Sequence, residues 1–146
     1  MNDAPVKTPW HLWLAGVIAV LFNAIGVFDF TMSMAQGEAY MASAGMTADQ
    51  IAHYRDMPVW MMIVWAIGVL TAFLASILLL LRRKAAFPVF VVSLAAFLVS
   101  LLYSYVLTDG GSVMGSQMAI TSAVIAALLL FFSWYSRLMT ARHVLR

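Results

Sequence analysis

The sequence predicts an all-α membrane protein, an antiparallel up-down four-helix transmembrane bundle with a short amphipathic outer helix between spans one and two. Three observations predict it. Hydrophobic residues make up 64% of the 146-residue chain and charged residues 10%, against about 45–50% and about 25% in soluble domains. The apolar residues are gathered into four blocks of 21 to 23 residues. Seven of the eight basic residues fall on one side of the resulting topology.

Each apolar block has the length that a helix needs to cross a bilayer. A helix rises about 1.5 Å per residue, so each block reaches roughly the ~30 Å of the hydrocarbon core. We predict transmembrane helices, in a single domain of residues 1–146, over Trp10–Phe30, Val59–Leu81, Ala85–Leu107 and Gly115–Tyr135. The first block is longer than the apolar region of a signal peptide, about 7–15 residues, so we expect it to be retained.

The outer connection, residues 31–58, is the largest segment between two predicted spans. Thr47 and Gln50 have the spacing of a capping box, in which two side chains satisfy the free N–H groups at a helix start. A short helix over about residues 48–56 is therefore predicted, stopped by Pro58. An amphipathic helix between two spans is expected to lie on the outer membrane surface as a cap.

The basic residues predict the orientation in the membrane. Positively charged short loops remain in the cytoplasm, so we expect both termini on the cytoplasmic side of a bacterial inner membrane. With a net charge of +2 and no basic tract, nucleic acid is not an expected partner, whereas the lipid bilayer is. The residues on this side are Lys7, Arg82, Arg83, Lys84, Arg137, Arg142 and Arg146.

Small residues recur at helical spacing in every span. Lipid tails are as apolar as leucine, so helices in a membrane associate through close packing and polar contacts. We interpret these residues as packing seams that face the bundle centre: Gly16, Gly26, Gly68, Ala72, Ser100, Gly115 and Ala119.

Two polar residues in span one are the first candidates for function. Asn23 lies past the middle of the span and must find a partner, because an unsatisfied amide in hydrocarbon is costly. We expect that partner on span four. Asn23 is either a structural hydrogen-bonding group or part of a solute path. Asp29 lies near the outer boundary, where it is either a functional intramembrane carboxylate or a solvated surface group.

Further candidates combine hydrogen-bonding groups with aromatic rings. Gln117, Trp60, Trp65, Tyr103 and Tyr105 are added to the predicted solute path, although the aromatic residues also suit anchoring at the membrane interface. Glu38, His53 and Asp56 form a predicted outer-face polar cluster. Its spacing matches no metal-binding motif, so no metal is predicted. The chain has no cysteine and no G-x-S-x-G or phosphate-binding loop, so neither an enzyme nor a cofactor is expected.

Five segments carry a resemblance to a known family. They are TPWHLWLAGVIAVLFNAIGVFDF with the EAYM that follows, MPVWMMIVWAIGV, LLLLRRKAAFPVFVVSL and ARHVLR. Over nearly its whole length the chain resembles a family of small four-span proteins from proteobacteria that are often labelled "sugar transporter". The resemblance implies transport of a small polar solute such as a sugar.

Two functional hypotheses remain open. The first is a transporter, which would be an oligomer because four helices of this length enclose little space. The second is a non-catalytic accessory or scaffold subunit that assembles with partner membrane subunits. Against the first hypothesis, no span is visibly broken by an internal proline or a glycine pair, whereas discontinuous helices often mark binding sites in larger carriers.

Overall fold

The computed structural model describes residues 4–146, and within that range it contains helices and no strand. Four helices are long and apolar enough to cross a membrane. They are α1 (Trp10–Gln36), α4 (Val59–Leu80), α5 (Ala86–Leu102) with the helical turn that extends it to Leu107, and α6 (Gly110–Ala141). Two short helices, α2 (Glu38–Ser43) and α3 (Ala48–Arg55), lie between α1 and α4. The predicted all-α fold with four membrane-crossing helices is confirmed.

The long helices pack in chain order, with α1 against α4, α4 against α5, and α5 against α6. We call the end that carries Lys7, Arg82–Lys84 and residues 142–146 the basic end. The opposite end, which carries α2, α3 and the turn at Thr108–Asp109, is the loop end. At the basic end α1 also meets α6, where His11 Nδ1 and the Tyr135 hydroxyl lie 2.5 Å apart.

The largest hydrophobic core lies in the basic half of the bundle. Its fully buried members include Leu12, Leu79, Phe90 and Phe132, contributed by all four long helices. The rings of Phe90 and Phe132 stack with their centroids 5.7 Å apart. Gly16 permits α1 to approach α4, because a Cβ atom there would overlap the Leu80 side chain.

Residues 144–146 close the core at the basic end. Val144 and Leu145 are buried, and the backbone beside them pairs with the turn between α4 and α5. The Lys84 N–H donates to the Arg146 carbonyl (3.0 Å), and the Arg146 N–H donates to the Arg82 carbonyl (2.7 Å). The turn and the residues after α6 therefore hold the three helices α4, α5 and α6 together at this end.

Several helix boundaries differ from the predicted spans. α1 continues six residues past Phe30 to Gln36 and ends at Gly37, whose φ is 58°. α6 begins at Gly110, before the predicted start, and continues to Ala141. The capping box at the start of α3 is confirmed: the Gln50 N–H donates to Thr47 Oγ1 (3.3 Å), and the Thr47 N–H donates to Gln50 Oε1 (3.1 Å). The additional helix α2 was not predicted.

Two long helices are interrupted near the loop end. After Leu102, α5 continues as a π-helical turn over Tyr103–Leu107. α6 is kinked at Gly115, where φ is 74° and ψ is −174°. The π-helical turn covers the last five residues of predicted span three, and Gly115 is the first residue of predicted span four, so both interruptions lie at the loop-side limits of these spans.

The prediction that Gly115 and Ala119 are packing residues facing the bundle centre is also wrong. An added Cβ atom at Gly115 would meet nothing within 4 Å, and Ala119 is exposed on the outside of α6. Small size at these positions does not bring two helices together. At Gly115 it supplies a backbone conformation that residues with a Cβ atom rarely adopt.

Candidate functional site

A cavity of about 780 Å³ occupies the loop half of the bundle. All four long helices contribute to its wall, and Tyr40 of α2 and His53 and Tyr54 of α3 line it at the loop end. Toward the basic end the cavity reaches Ala72 and Leu129, both of which belong to the hydrophobic core. The cavity is therefore closed at the basic end by the packed core.

The rim of the cavity between α1 and α6 is exposed within the span region. Ile25 and Phe28 of α1 line the cavity, as do Ile120 and Val124 of α6, yet these four side chains are 49–66% exposed. Their positions within apolar spans place them among lipid tails when the protein is in a bilayer. The first and last helices thus leave a side opening toward the membrane interior.

Asn23 lies in the wall of the cavity and is buried. Its Nδ2 donates to the Ser76 hydroxyl (2.9 Å) and to the Ala19 carbonyl (2.9 Å). Ser76 in turn donates to the Ala72 carbonyl (2.8 Å). The partner of Asn23 therefore lies on α4, which is the second span. The expectation of a partner on span four, which is part of α6, was wrong. Of the two bonds that Asn23 donates, the one to Ser76 holds α1 to α4 and the one to Ala19 lies within α1.

Three hydroxyl groups of the wall are also bonded within the protein. Ser93 donates to the Gly68 carbonyl of α4 (2.8 Å), Ser100 to the Ala96 carbonyl (3.1 Å) and Thr121 to the Gln117 carbonyl (3.0 Å). A hydroxyl that bonds the backbone of a helix satisfies itself without an external partner. Ser104 and Ser122 also line the cavity, and their hydroxyls make no hydrogen bond within residues 4–146. The wall is therefore mainly apolar, with these two serine hydroxyls free for a ligand.

Asp29 is the carboxylate of the cavity wall. It lies on the exposed side of α1, and the Tyr40 hydroxyl of α2 donates to its Oδ1 (2.9 Å). This hydrogen bond to a carboxylate raises the pKa of the Tyr40 hydroxyl. An ionised carboxylate has about four lone-pair positions, so Asp29 retains acceptor capacity beyond the one bond from Tyr40.

His53 and Tyr54 bring α3 over the loop end of the cavity. The His53 ring lies 5.9 Å from the ring of Tyr103 in the π-helical turn, and partial burial lowers the pKa of its imidazole. Burial raises the pKa of Tyr54 to about 12. Gly110 makes this approach possible, since an added Cβ atom would lie 2.8 Å from His53 Cε1. The Gln50 Nε2 also donates to the Val113 carbonyl (3.4 Å), which ties α3 to α6.

Aromatic rings form the cavity wall beneath this cap. Trp65 lies against Tyr54 with centroids 5.5 Å apart and receives Phe30 edge-on at 4.9 Å. Tyr103 is buried and receives the ring of Trp60 at 5.7 Å. The cavity wall in the loop half therefore combines one carboxylate, one imidazole and several ring faces above an apolar interior.

The structure brings only some of the predicted solute-path residues to the cavity. Asn23, Asp29, Trp65, Tyr103 and Tyr105 line it. Trp60 packs on Tyr103 from outside and Gln117 is exposed on α6; neither belongs to the wall. Among the seam residues, Gly26, Gly68, Ala72 and Ser100 also line the cavity, whereas Gly16 lies in the close contact of α1 with α4.

The three residues of the predicted outer-face polar cluster lie near one another at the loop end but do not converge on one site. Arg55 forms an ion pair with Glu38, with 3.6 Å between Nη1 and Oε1, and its Nε donates to Asp56 Oδ1 (3.3 Å). All three side chains are exposed. The hydrogen bond and charge of Asp56 raise the pKa of Arg55. His53 lines the large cavity, and together with Asp56 it also lines a smaller pocket at the loop end. Within residues 4–146 there is no group of three His, Cys, Asp or Glu side chains placed to hold a metal ion.

The rim residues Ile25, Phe28, Ile120 and Val124 were not singled out from the sequence. In an apolar span, the same residue types face a cavity and face lipid, so no sequence signal separates them.

Comparison with known proteins adds no relative: no family model, no curated protein and no solved structure matches the chain.

Proposed function

We propose that this protein is a membrane transporter of small molecules and that the cavity in its loop half is the binding site. The observation that carries the proposal is a cavity of about 780 Å³ that is lined by all four spans and closed at one end by a packed core. A site that is open on one side and sealed on the other is one state of an alternating-access cycle. A scaffold subunit, the second sequence-based hypothesis, needs no such space.

The helix interruptions support the same proposal. The π-helical turn Tyr103–Leu107 and the kink at Gly115 both lie beside the cavity, in helices that line it. π-Helical turns occur frequently at functional sites, and discontinuous helices mark the binding sites of many transporters. Both features give α5 and α6 a position at which the loop half of each helix can move relative to its basic half.

The apolar wall favours a solute with an apolar body over a fully hydroxylated one. Three wall hydroxyls, those of Ser93, Ser100 and Thr121, already bond to helix carbonyls, and Asn23 is bonded to Ser76. A sugar in this space would leave many hydroxyl groups without partners, which costs free energy. The sugar expected from the family resemblance is therefore tested beside a probe with an aromatic body.

Uptake into proteoliposomes tests the transport proposal. The probes are radiolabelled D-glucose and ethidium, and the vesicles for ethidium contain DNA so that the internal dye fluoresces. We expect the wild-type protein to accelerate ethidium entry above the rate in protein-free vesicles. If neither probe enters faster than in protein-free vesicles, the proposed function is wrong.

Two tryptophan substitutions on adjacent residues supply the matched comparison. Ser122 lines the cavity, whereas Ala123 is exposed on the lipid side of the same helix. Ser122→Trp should fill the cavity and reduce uptake to the protein-free rate, and Ala123→Trp should retain uptake. Equal rates in the two variants would show that the probe does not pass through this cavity.

A further inference from the structure

The electrostatics of the loop end indicate the class of ligand. Residues 29–58 and 108–115 contain five carboxylates, Asp29, Glu38, Asp49, Asp56 and Asp109, against one basic side chain, Arg55. His53 adds little positive charge at neutral pH, because partial burial lowers the pKa of its imidazole. A region of one charge sign beside low-dielectric walls attracts ligands of the opposite sign. The mouth of the cavity therefore favours cations.

Within the cavity, Asp29 is the carboxylate that a ligand can reach directly. It lines the cavity, it is exposed, and only its Oδ1 receives the Tyr40 hydroxyl. Arg55, the one basic residue of the loop end, is paired with Glu38 and Asp56 instead. The negative charge of Asp29 is thus not compensated by an ion pair within residues 4–146.

The aromatic residues of the wall suit the same ligand charge. Trp65, Tyr54 and Tyr103 line the cavity near the loop end. The faces of aromatic rings carry negative partial charge and attract organic cations, an interaction that strengthens as the site loses water. Deeper in the cavity the wall is apolar, so it accommodates the hydrocarbon part of the same molecule.

The side opening gives such a ligand a route into the cavity. Ile25 and Phe28 of α1 and Ile120 and Val124 of α6 all line the cavity, and all four are substantially exposed within the span region. An amphipathic molecule concentrates in the bilayer because its apolar part leaves water. It reaches this rim from the membrane without crossing the loop-end cap formed by α2 and α3.

We propose that the cavity binds amphipathic organic cations, with the apolar body between α1 and α6 and the charged centre beside Asp29 and the aromatic rings. This inference rests on the proposed function for the identity of the site and names the class of molecule that the site takes. It requires neither a metal nor a covalent step.

Two isosteric ions of opposite charge test the ligand class. Radiolabelled tetraphenylphosphonium and tetraphenylborate have nearly the same shape, so a difference in binding reports charge. Binding to detergent-solubilised protein captured on beads is measured, and binding to protein-free beads is subtracted. We expect saturable binding of tetraphenylphosphonium that the Ser122→Trp substitution removes. Equal saturable binding of tetraphenylborate, or no binding of either ion, would overturn the proposal.

Charge substitutions on the loop end test the role of Asp29. Asp29→Asn should weaken tetraphenylphosphonium binding about tenfold, since one unit charge close to a cation near a protein surface contributes a few kcal/mol at most. Asp49→Asn makes the same charge change at an exposed residue outside the cavity and should weaken binding less than about twofold. An equal effect of the two substitutions would mean that diffuse surface charge, and not Asp29, attracts the cation, which contradicts the proposal.

Two further variants separate a loss of charge from a loss of structure. Asp29→Glu retains the charge and should bind the cation, and Tyr40→Phe removes the hydrogen bond to Asp29 while leaving the carboxylate available. If Asp29→Glu and Tyr40→Phe bind as poorly as Asp29→Asn, the site depends on local structure and the proposed charge recognition is wrong.

The outcomes for ligand class and for transport are distinguishable. Selective tetraphenylphosphonium binding without uptake of ethidium or glucose would support the ligand class and contradict transport. Glucose uptake without tetraphenylphosphonium binding would support transport and contradict the ligand class.

Discussion

At the scale of single residues, two positions in α1 hold it against α4: Gly16, which has no side chain, and Asn23, which donates a hydrogen bond. Gly16 lacks the Cβ atom that would overlap Leu80, so α1 and α4 approach closely in the basic half. Further along α1, Asn23 donates to Ser76 and holds the same two helices together beside the cavity. Close packing and one interhelical hydrogen bond therefore act in succession along one helix pair, as is typical of helices in lipid.

Two glycine substitutions in α1 test the close approach. Gly16→Ala should lower the thermal stability of the detergent-solubilised protein, because overpacking costs about 1–3 kcal/mol. Gly26→Ala is the matched control, since its added Cβ atom would lie 3.9 Å from Val69 Cγ1, an ordinary contact distance. Thermal unfolding followed by tryptophan fluorescence measures both. Indistinguishable melting temperatures for the two variants would show that Gly16 is not required for packing.

The residue scale also shows where the sequence is sufficient and where it is not. The sequence predicts that Asn23 has a partner, because a buried amide in hydrocarbon needs one. It does not predict which helix supplies the partner, since Ser76 on α4 and the hydroxyls of span four are equally plausible in one dimension. Which helix supplies the partner depends on the rotation of each helix about its axis. For α6, the small residues Gly115 and Ala119 predicted the wrong face toward the bundle centre.

At the scale of elements, α5 and α6 differ from the continuous helices that their hydrophobicity predicts. The hydrophobicity of a span reports its environment and not its backbone geometry, so the π-helical turn at Tyr103–Leu107 and the kink at Gly115 leave no apolar pattern. The element α3 was predictable because its capping box is a local signal. The helix α2 carries no comparable cap: its N-cap is Gly37, which makes no side-chain hydrogen bond.

A substitution of Gly115 by a residue with a Cβ atom tests whether the kink of α6 needs the backbone conformation of glycine. Gly115→Ala should destabilise the protein by about 1–3 kcal/mol, because a residue with a Cβ atom is strained at this φ and ψ. Ser116→Ala changes the adjacent exposed residue, so it serves as the control. Thermal unfolding gives the stability, and amide hydrogen exchange over residues 110–120 should increase in Gly115→Ala alone. A fully stable Gly115→Ala variant would mean that the kink is not a fixed part of the fold.

At the scale of the whole molecule, the bundle is closed at the basic end and open in its loop half. The contact of His11 with Tyr135 and the burial of residues 144 and 145 join the helices at the basic end. The cavity separates α1 from α6 in the other half. The number of spans and the segregation of basic residues follow from the sequence, because both are properties of the chain in one dimension. The cavity is not predictable in this way, since it depends on how the first and last helices diverge.

The charge asymmetry predicts the direction in which the open half faces. Short basic loops stay in the cytoplasm, so the basic end should be cytoplasmic and the cavity should open toward the outer face of the membrane. The chain has no cysteine, which permits single-cysteine labelling without background. Ala44 is exposed at the loop end and Ala141 is exposed at the basic end, and replacing either residue leaves every charge in place.

A membrane-impermeant maleimide applied to intact spheroplasts should label Ala44→Cys and leave Ala141→Cys unlabelled until the membrane is permeabilised. The physical reason is that the seven basic residues of one end resist translocation across the membrane, whereas the acidic loop end does not. Labelling of both cysteines after permeabilisation is the control for their accessibility. The opposite pattern in intact spheroplasts would place the cavity mouth in the cytoplasm, and the proposed cation site would then take its ligand from the inner leaflet.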